Sequence, residues 1–600
     1  MTAPIDAADA VQSATGPCDV LCVVEDRHRD VTVAHDAKAG RFTHGGVPLD
    51  LGRRPDWLHD GLPQDEEWRI EWVKLYEGLD LAHAYGVTGD PDLLVTWEEL
   101  VVSFAEQVPV GHDSSDVSAR RLQNWVYAWS RFARAPWFTG LGPGVETVLR
   151  ERIRSDTEHL AAHLTPERNH RTLEVYTLLL VALALGDGAA TGAPTAQQAL
   201  DLLATNVATD IWSDGVHREC SSDYHLIVLR SLVGAVANSR AAGLSVPTEL
   251  LSAATRASDF ALHLQRPDGL TPALSDGDQG DYRDLLALAA EVLDRPDLAW
   301  AATAGRSGTA PASRSVTFPV GGYVVQRSGW GEGDRPYADE RFAVLDCGPL
   351  GDGGHGHYDQ LSVELFGGGR SLVVDPGRFT YAEDSSGLRH WFKGTAAHNT
   401  VTVDGLDQTP YRRGKPRGPV STARLLGRRT EPGLDIVQGE VSSPSYDAVH
   451  TRTLALVDGD FWLVHDRLRA PTTHRYQARW HLAPEAYGHL TIEYDVAQVT
   501  VTAPGLVLVV PRWCGEVGIE CGWVSPSYGV KLSAPVVVVT VEGRTDADIH
   551  TAIVPGSVRA AVRATCAETV AVELTRPGLG RDLVTWSPDL GRSQHQWNPR

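Results

Sequence analysis

The sequence predicts a multidomain α + β chain: an N-terminal α/α toroid followed by a C-terminal antiparallel β-sandwich. Three observations predict it. From Trp68 to about residue 304, apolar residues recur at helical spacing in segments separated by Gly, Pro, Asp and Ser. Some of these segments (173–185, 225–236) are apolar nearly all round, whereas 146–164 and 248–265 keep a polar face. Wholly buried helices alternating with half-exposed ones, in antiparallel succession, are what a double-layered toroid requires. From about Ser315 the texture changes to short Val/Thr-rich runs broken by Gly, Pro and Asp, the pattern of a large antiparallel sandwich.

Six hundred residues exceed what one core organises, so separate domains are expected. Residues 1–60 are weakly patterned and are read as an extension packed on the toroid, which takes 61–310. Trp68, Trp72, Leu75, Leu79 and Leu81 mark its first helix, which ends near Tyr85-Gly86. Helices are then expected at 93–108, 118–135, 146–164, 172–186, 195–208, 223–241, 248–265 and 281–304, with no fixed-period repeat in residue identity. The small-residue stretch 305–315 is the boundary, and 316–600 forms the sandwich. Its strands include 316–325, Phe461-Trp462-Leu463-Val464, 506–510 and 536–540.

The formal charge is −23, from 54 Lys+Arg against 77 Asp+Glu, which opposes nonspecific binding to nucleic acid and to anionic membranes. No apolar run approaches the roughly 20 residues of a membrane span. Seven cysteines make no paired framework, and Cys18/Cys22 has no matching second pair for zinc. The first 15 residues lack a basic segment, and Val20-Leu21-Cys22-Val23-Val24 is too short for a signal core. A cytoplasmic protein in a reduced compartment is therefore expected.

The densest chemistry lies in Gly354-His355-Gly356-His357-Tyr358-Asp359-Gln360 and in the residues immediately C-terminal to it. Leu361, Val363 and Leu365 alternate with Ser362 and Glu364, as in a half-buried strand. Gly367-Gly368-Gly369 makes a turn, and a second strand ends at Asp375 before Pro376-Gly377. Two histidines thus enter one strand of a hairpin and a carboxylate leaves the other. A third imidazole, His398, precedes the strand Val401-Thr402-Val403. Two His and one Asp on adjacent strands can hold a divalent metal; the plainer alternative is a set of hydrogen-bonded loop histidines. In the helical half, Asn169-His170-Arg171 and Ser221-Ser222-Asp223-Tyr224-His225 each precede a buried helix. Helix starts attract carboxylates, although Asn169, Ser222 and Asp223 are also ordinary caps.

These blocks resemble the heparinase II/III-like polysaccharide lyases, a family that includes heparin, alginate and oligoalginate lyases. The resemblance runs through 169–174, Tyr224-His225, 354–377 and Thr395-Ala396-Ala397-His398-Asn399-Thr400-Val401, with Arg121-Leu122-Gln123-Asn124-Trp125 and 84–90 as further helical signatures. It covers roughly 65–410 and is strongest over 354–405. It implies the toroid-plus-sandwich fold with the active site in the cleft between the two, and β-elimination at a uronate. That reaction needs a neutralised carboxylate, a base for the C5 proton and an acid for the leaving oxygen. Carried over by motif, Asn169 helped by His170 neutralises the carboxylate. Tyr224 is the acid and, in a syn elimination, also the base, with His355 as the alternative base or a second carboxylate donor. His357, Asp375 and His398 resemble the family's metal site, usually zinc, which would be mainly structural. No organic cofactor is implied.

Two features narrow the expectation. Some alginate-type members carry a tyrosine shortly before the Ala-Ala-His-Asn block, where this chain reads Leu388-Arg389-His390-Trp391-Phe392-Lys393-Gly394; Tyr381 is the nearest, so that place is expected to be vacant. The basic stretch 411–417 either receives anionic groups or is a solvated turn. The expected substrate is an anionic oligosaccharide containing uronic acid, cleaved to leave an unsaturated uronate end. The alternatives are a small acidic metabolite and a non-catalytic carbohydrate-binding role. A homodimer is the assembly to test.

Overall fold

The structure is a computed structural model that describes residues 16–23, 29–414, 418–557, 560–566 and 569–598. It divides into two compact units, Met1–Asp210 with Arg230–Ala253, and Ile211–Leu229 with Ala254–Arg600. Helices come first along the chain and antiparallel strands follow.

In the first unit, a short helix, Val31–Lys38, and a two-stranded hairpin, Arg41–His44 with Val47–Asp50, precede the main helices. Of the segment read as an N-terminal extension, 1–15 and 24–28 lie outside the described residues. The expected first helix is two, Glu66–Lys74 and Glu77–Thr88. Leu75 between them adopts left-handed geometry, φ 57°, which ends the first helix. Starts are capped where the chain supplies a carboxylate: Asp65 accepts from the Trp68 amide, and Asp90 from the Asp92 amide beside Pro91. The helices Pro91–Gln107, Ser115–Arg134, Val145–Ala162, Arg168–Leu185 and Ala196–Asp210 complete the succession.

Aromatic residues at helical spacing make this unit's core. Trp57 stacks on Trp72 with centroids 4.4 Å apart, and Phe104 packs edge-on to Trp57 at 5.1 Å. Arg121, from one of the helical signatures, is buried among them. Its guanidinium lies 4.4 Å from the Phe104 ring and donates to Asp113 at 2.7 Å. Gln123 and Asn124 are equally structural: one bonds Thr177 Oγ1 at 2.8 Å, the other the Lys74 carbonyl at 2.8 Å.

The second unit is built on sheets. A five-stranded antiparallel sheet runs in the order Val316–Phe318, Tyr323–Arg327, Phe342–Asp346, Val363–Phe366, Ser371–Val373. A ten-stranded sheet is centred on two long neighbours, Phe461–His481 and Val530–Pro555, and a four-stranded sheet spans Ala561–Cys566 to Ser593–Asn598. Side-chain alternation decides the layering. Leu454, Leu456, Trp462 and Val464 join Leu345, Val363 and Leu365 of the five-stranded sheet in one buried cluster. The intervening Ala455, Val457 and Leu463 join Val572, Val584 and Trp586 of the four-stranded sheet in another. The central strands of the ten-stranded sheet are therefore buried on both faces, which explains why segments such as 461–464 and 506–510 read as unbroken apolar runs. The outer face of the five-stranded sheet, through Phe318, Val325 and Phe342, packs on Phe260 and Leu264.

The expected 281–304 helix is also two, Arg283–Leu293 and Pro296–Ala302. It is interrupted by Asp294 at φ 55° and by Pro296, whose ring removes an amide donor and restricts Arg295. The first hairpin strand starts at Val363 rather than Leu361, because Leu361 turns left-handed at φ 66°. His355 and His357 therefore lie in the loop before the strand. Among the described residues no helix is long and apolar enough to cross a membrane.

Candidate functional site

The glycines of the 351–356 loop are there for close approach. A Cβ on Gly356 would sit 1.9 Å from the Leu350 carbonyl oxygen, and one on Gly351 2.6 Å from the Glu219 backbone. Lys393 donates to the Gly354 carbonyl at 2.6 Å, and its burial pushes its pKa down to about 8. Held this way, the His355 ring stacks on Tyr224, from the first turn of the helix Ser222–Ala241, with centroids 3.8 Å apart and planes 26° apart. His355 Nδ1 lies 3.1 Å from Asp276 Oδ2, and its Nε2 lies 3.5 Å from Glu219 Oε2.

Asp276 is fully buried and serves several partners. Its Oδ1 meets His357 Nε2 at 2.9 Å, and Arg389 donates to both of its oxygens, Nη2 at 2.7 Å. Burial alone would raise its pKa, but the Arg389 charge and the two imidazole hydrogen bonds hold it well below the usual carboxylate range. Both ring nitrogens of His355 thus face buried carboxylates, with Nδ1 closer to Asp276 than Nε2 is to Glu219.

A second chain of bonds ends on Tyr224. Its hydroxyl is 3.0 Å from that of Tyr381, which accepts from Arg378 Nη1 at 2.7 Å. Arg378 is held by both oxygens of Asp278, at 2.9 and 2.7 Å. Guanidinium only donates, so the Tyr381 oxygen accepts from Arg378, while either phenol can donate across the Tyr224–Tyr381 contact. Burial above all, then the neighbouring Tyr381, pushes the Tyr224 phenol well above its ordinary pKa. Tyr381, the tyrosine nearest the Ala-Ala-His-Asn block, thus reaches Tyr224 through the fold.

His357, Asp375 and His398 offer ligand atoms that all lie within 4.8 Å of one another. Their surroundings decide whether a cation fits. His357 directs Nε2 at Asp276, and its buried Nδ1 has no hydrogen-bond partner. His398 directs Nε2 at the Phe392 carbonyl, 3.1 Å away, and Nδ1 at Asp375 Oδ2, 2.9 Å away. Each imidazole is oriented by an outer acceptor and turns its other nitrogen inward beside a carboxylate, the arrangement of metal-binding histidines. The residues fit a divalent cation.

The motif around His398 explains this aim. Asn399 Nδ2 donates to the carbonyls of Val363 and Val374, at 2.9 and 2.8 Å, and its Oδ1 accepts from the His481 amide at 2.6 Å. Thr395 Oγ1 bonds the Tyr358 carbonyl and Thr400 Oγ1 the Gln360 carbonyl. Arg452, from the ten-stranded sheet, donates to the Leu361 and Asn399 carbonyls. The segment ties both histidine loops to the five-stranded and ten-stranded sheets.

In the first unit, Asn169 is buried in the opening turn of Arg168–Leu185. That helix starts four residues before Thr172, so Asn169 lies inside it rather than capping it. His170 is about half exposed, 3.8 Å from Asp116. Within the basic stretch, Tyr411 and the Gly414 amide bind Glu383, while Lys415, Pro416 and Arg417 lie outside the described residues. Asp276, Arg389, Arg378 and Glu219 were not found from sequence.

Comparison with known proteins bears on the whole arrangement. Residues 25–295 match the family model described as Heparinase II/III N-terminus, and 310–564 the one described as Heparinase II/III-like, C-terminal. A heparin-sulfate lyase of Pedobacter heparinus is 24% identical over 457 residues, covering 73% of this chain and 65% of that protein. A heparin-sulfate lyase of Bacteroides stercoris is 22% identical over 465 residues, covering 71% and 66%. The chain thus spans just under two thirds of the length of these curated relatives. A crystal structure of heparinase III superposes with a TM-score of 0.77 at 16% identity, covering 97% of this chain and 92% of that one, which shows a shared fold.

Proposed function

Because the chain belongs to the heparinase II/III-like family, we propose that it is a polysaccharide or oligosaccharide lyase, a carbon–oxygen lyase that cleaves a uronic-acid-containing glycan by β-elimination. In this reading the helices form the α/α toroid of 61–310 and the sheets the β-sandwich of 316–600. The observation that carries it is the stacking of Tyr224 on His355, with a separate hydrogen-bond chain behind each ring.

His355 is the base. Asp276 orients its ring and stabilises the imidazolium that forms when Nε2 takes the C5 proton. Tyr224 is the acid: its raised pKa keeps the phenol protonated at neutral pH, ready for the leaving glycosidic oxygen. As that proton leaves, Tyr381, polarised by Arg378, donates to the phenolate oxygen. Asn169 and His170 are assigned to neutralising the uronate carboxylate, on the strength of their motif. His357, Asp375 and His398 would hold a divalent metal, with zinc the one the family resemblance implies. When bound, it supplies positive charge that ties the two histidine loops together.

The test is an absorbance screen for a new unsaturated uronate across heparan, alginate, hyaluronan and glucuronan fragments. We expect one class to be cleaved and Tyr224→Phe to lose about 10²–10⁴-fold in kcat, the usual weight of general acid catalysis. Products without the double bond, or an unaffected Tyr224→Phe enzyme, would remove the lyase reading.

A further inference from the structure

Arg378, Arg389 and Arg218, three cations of the second unit, are each neutralised, by Asp278, Asp276 and Asp352. Lys531 is different. It lies just past the turn that joins Glu516–Ser527 to Val530–Pro555, with its ammonium 5.2 Å from the Phe379 ring and 4.9 Å from the Trp523 ring. Among the described residues no carboxylate pairs with it. Two aromatic faces hold a full positive charge in place without cancelling it.

Lys531 is exposed, and the two rings that flank it are continuous with the reactive residues. Phe379 stacks on Phe392 at 5.3 Å, Phe392 meets Trp391 at 4.8 Å, and Trp391 meets Trp523 at 5.0 Å. Phe379 has a φ of 55°, a costly conformation for a bulky side chain, and the Gly529 amide secures it by donating to its carbonyl at 2.8 Å. Its neighbour Arg378 holds Tyr381, whose ring packs 5.9 Å from Tyr528 of the same turn. The strained backbone therefore presents an aromatic face and a fixed cation two residues from the Tyr381 that contacts Tyr224. In a chain of net charge −23, an uncancelled cation beside this loop suits an anionic ligand.

We propose that Lys531, caged by Phe379 and Trp523, binds an anionic oxygen group, sulfate ester or carboxylate, on a sugar ring adjoining the one that is cleaved, and so sets which glycans the enzyme accepts. This rests on the lyase reading and deepens it. Lys531 contacts the neighbouring ring and takes no part in proton transfer.

The experiment compares wild type, Lys531→Met and Lys531→Arg on matched fragments of the glycan that is cleaved: native, desulfated, and carboxyl-reduced only on the ring adjoining the cleaved one, which keeps the carboxylate that β-elimination needs. Lys531→Met should raise KM about tenfold, the weight of one charge-assisted contact, with kcat within twofold, and Lys531→Arg should recover most of the loss. The arm in which wild type and Lys531→Met become equal identifies the group that is bound. An equal KM on native fragments, or the same loss in all three arms, overturns the proposal while leaving the lyase reading intact. If wild type cleaves nothing, the lyase reading fails separately. Titration calorimetry of the fragments, with Tyr224→Phe alone and combined with Lys531→Met, then decides: binding lost with the lysine supports the proposal, and binding retained, or absent from both, overturns it.

Discussion

Asp276 carries more of the second unit's polar chemistry than any residue the sequence singled out. One carboxylate fixes His355, fixes His357 and neutralises Arg389. Asp276→Asn keeps the shape but removes the charge, leaving Arg389 buried without its counter-ion. We expect a loss of roughly 3–5 kcal/mol in denaturant unfolding. Its pKa is held below the ordinary value, so its stabilising contribution is fully present above the unfolded-state value of about 3.9 and disappears as pH falls through the lower folded value. Acid titration of the melting temperature should therefore show a component in wild type that Asp276→Asn lacks. The sequence could not flag Asp276, because it stands 79 positions before His355 and 113 before Arg389 in an unremarkable Leu-Ser-Asp-Gly turn. His355, His357, Asp375 and His398 were legible because glycine and proline punctuate their own segments. Tyr381 shows the opposite limit: distance along the chain from the Ala-Ala-His-Asn block says nothing about its reach to Tyr224.

At the scale of elements, the segment from Thr395 to Thr400 is a hydrogen-bonded clamp as well as the carrier of a ligand. Asn399→Ala leaves the carbonyls of Val363 and Val374 and the amide of His481 without this partner. At about 1 kcal/mol or more for each buried group, the cost is roughly 3 kcal/mol. The same variant should purify with less bound metal, measured by elemental analysis, although no proposed ligand has changed. Full metal content together with reduced stability would separate the clamp from the cation site. Between 66 and 302 the helix positions were legible, unlike the short helix Val31–Lys38, and the two that split did so at left-handed Leu75 and Asp294, where a single backbone angle outweighs apolar periodicity. The late start of the hairpin strand has the same origin at Leu361.

For the molecule as a whole, a charge of −23 should repel an anionic glycan at long range. Raising ionic strength from about 0.01 to 0.15 M shortens the screening length from roughly 30 to 8 Å. We therefore expect kcat/KM to rise with added salt, measured by initial rates; a fall would point to a basic track that dominates encounter. The change from helices to strands was legible because long helical spacing gives way to short Val/Thr-rich runs broken by Gly, Pro and Asp. The three-layered packing of the sheets was not, since a strand covered on both sides shows no polar face. That double covering has a consequence for how the chain finds its pairing. A strand with one wet side announces a one-residue slip by burying its charges. The segments 454–457 and 461–464 have no such alarm: a slip would merely exchange Leu for Ala and Trp for Leu between two dry compartments. Correct alignment there depends on side-chain volume and on the buried Arg452–Asp466 pair farther along the same two strands, so a swap such as Ala455→Leu with Leu456→Ala, neutral in composition, should lower the melting temperature.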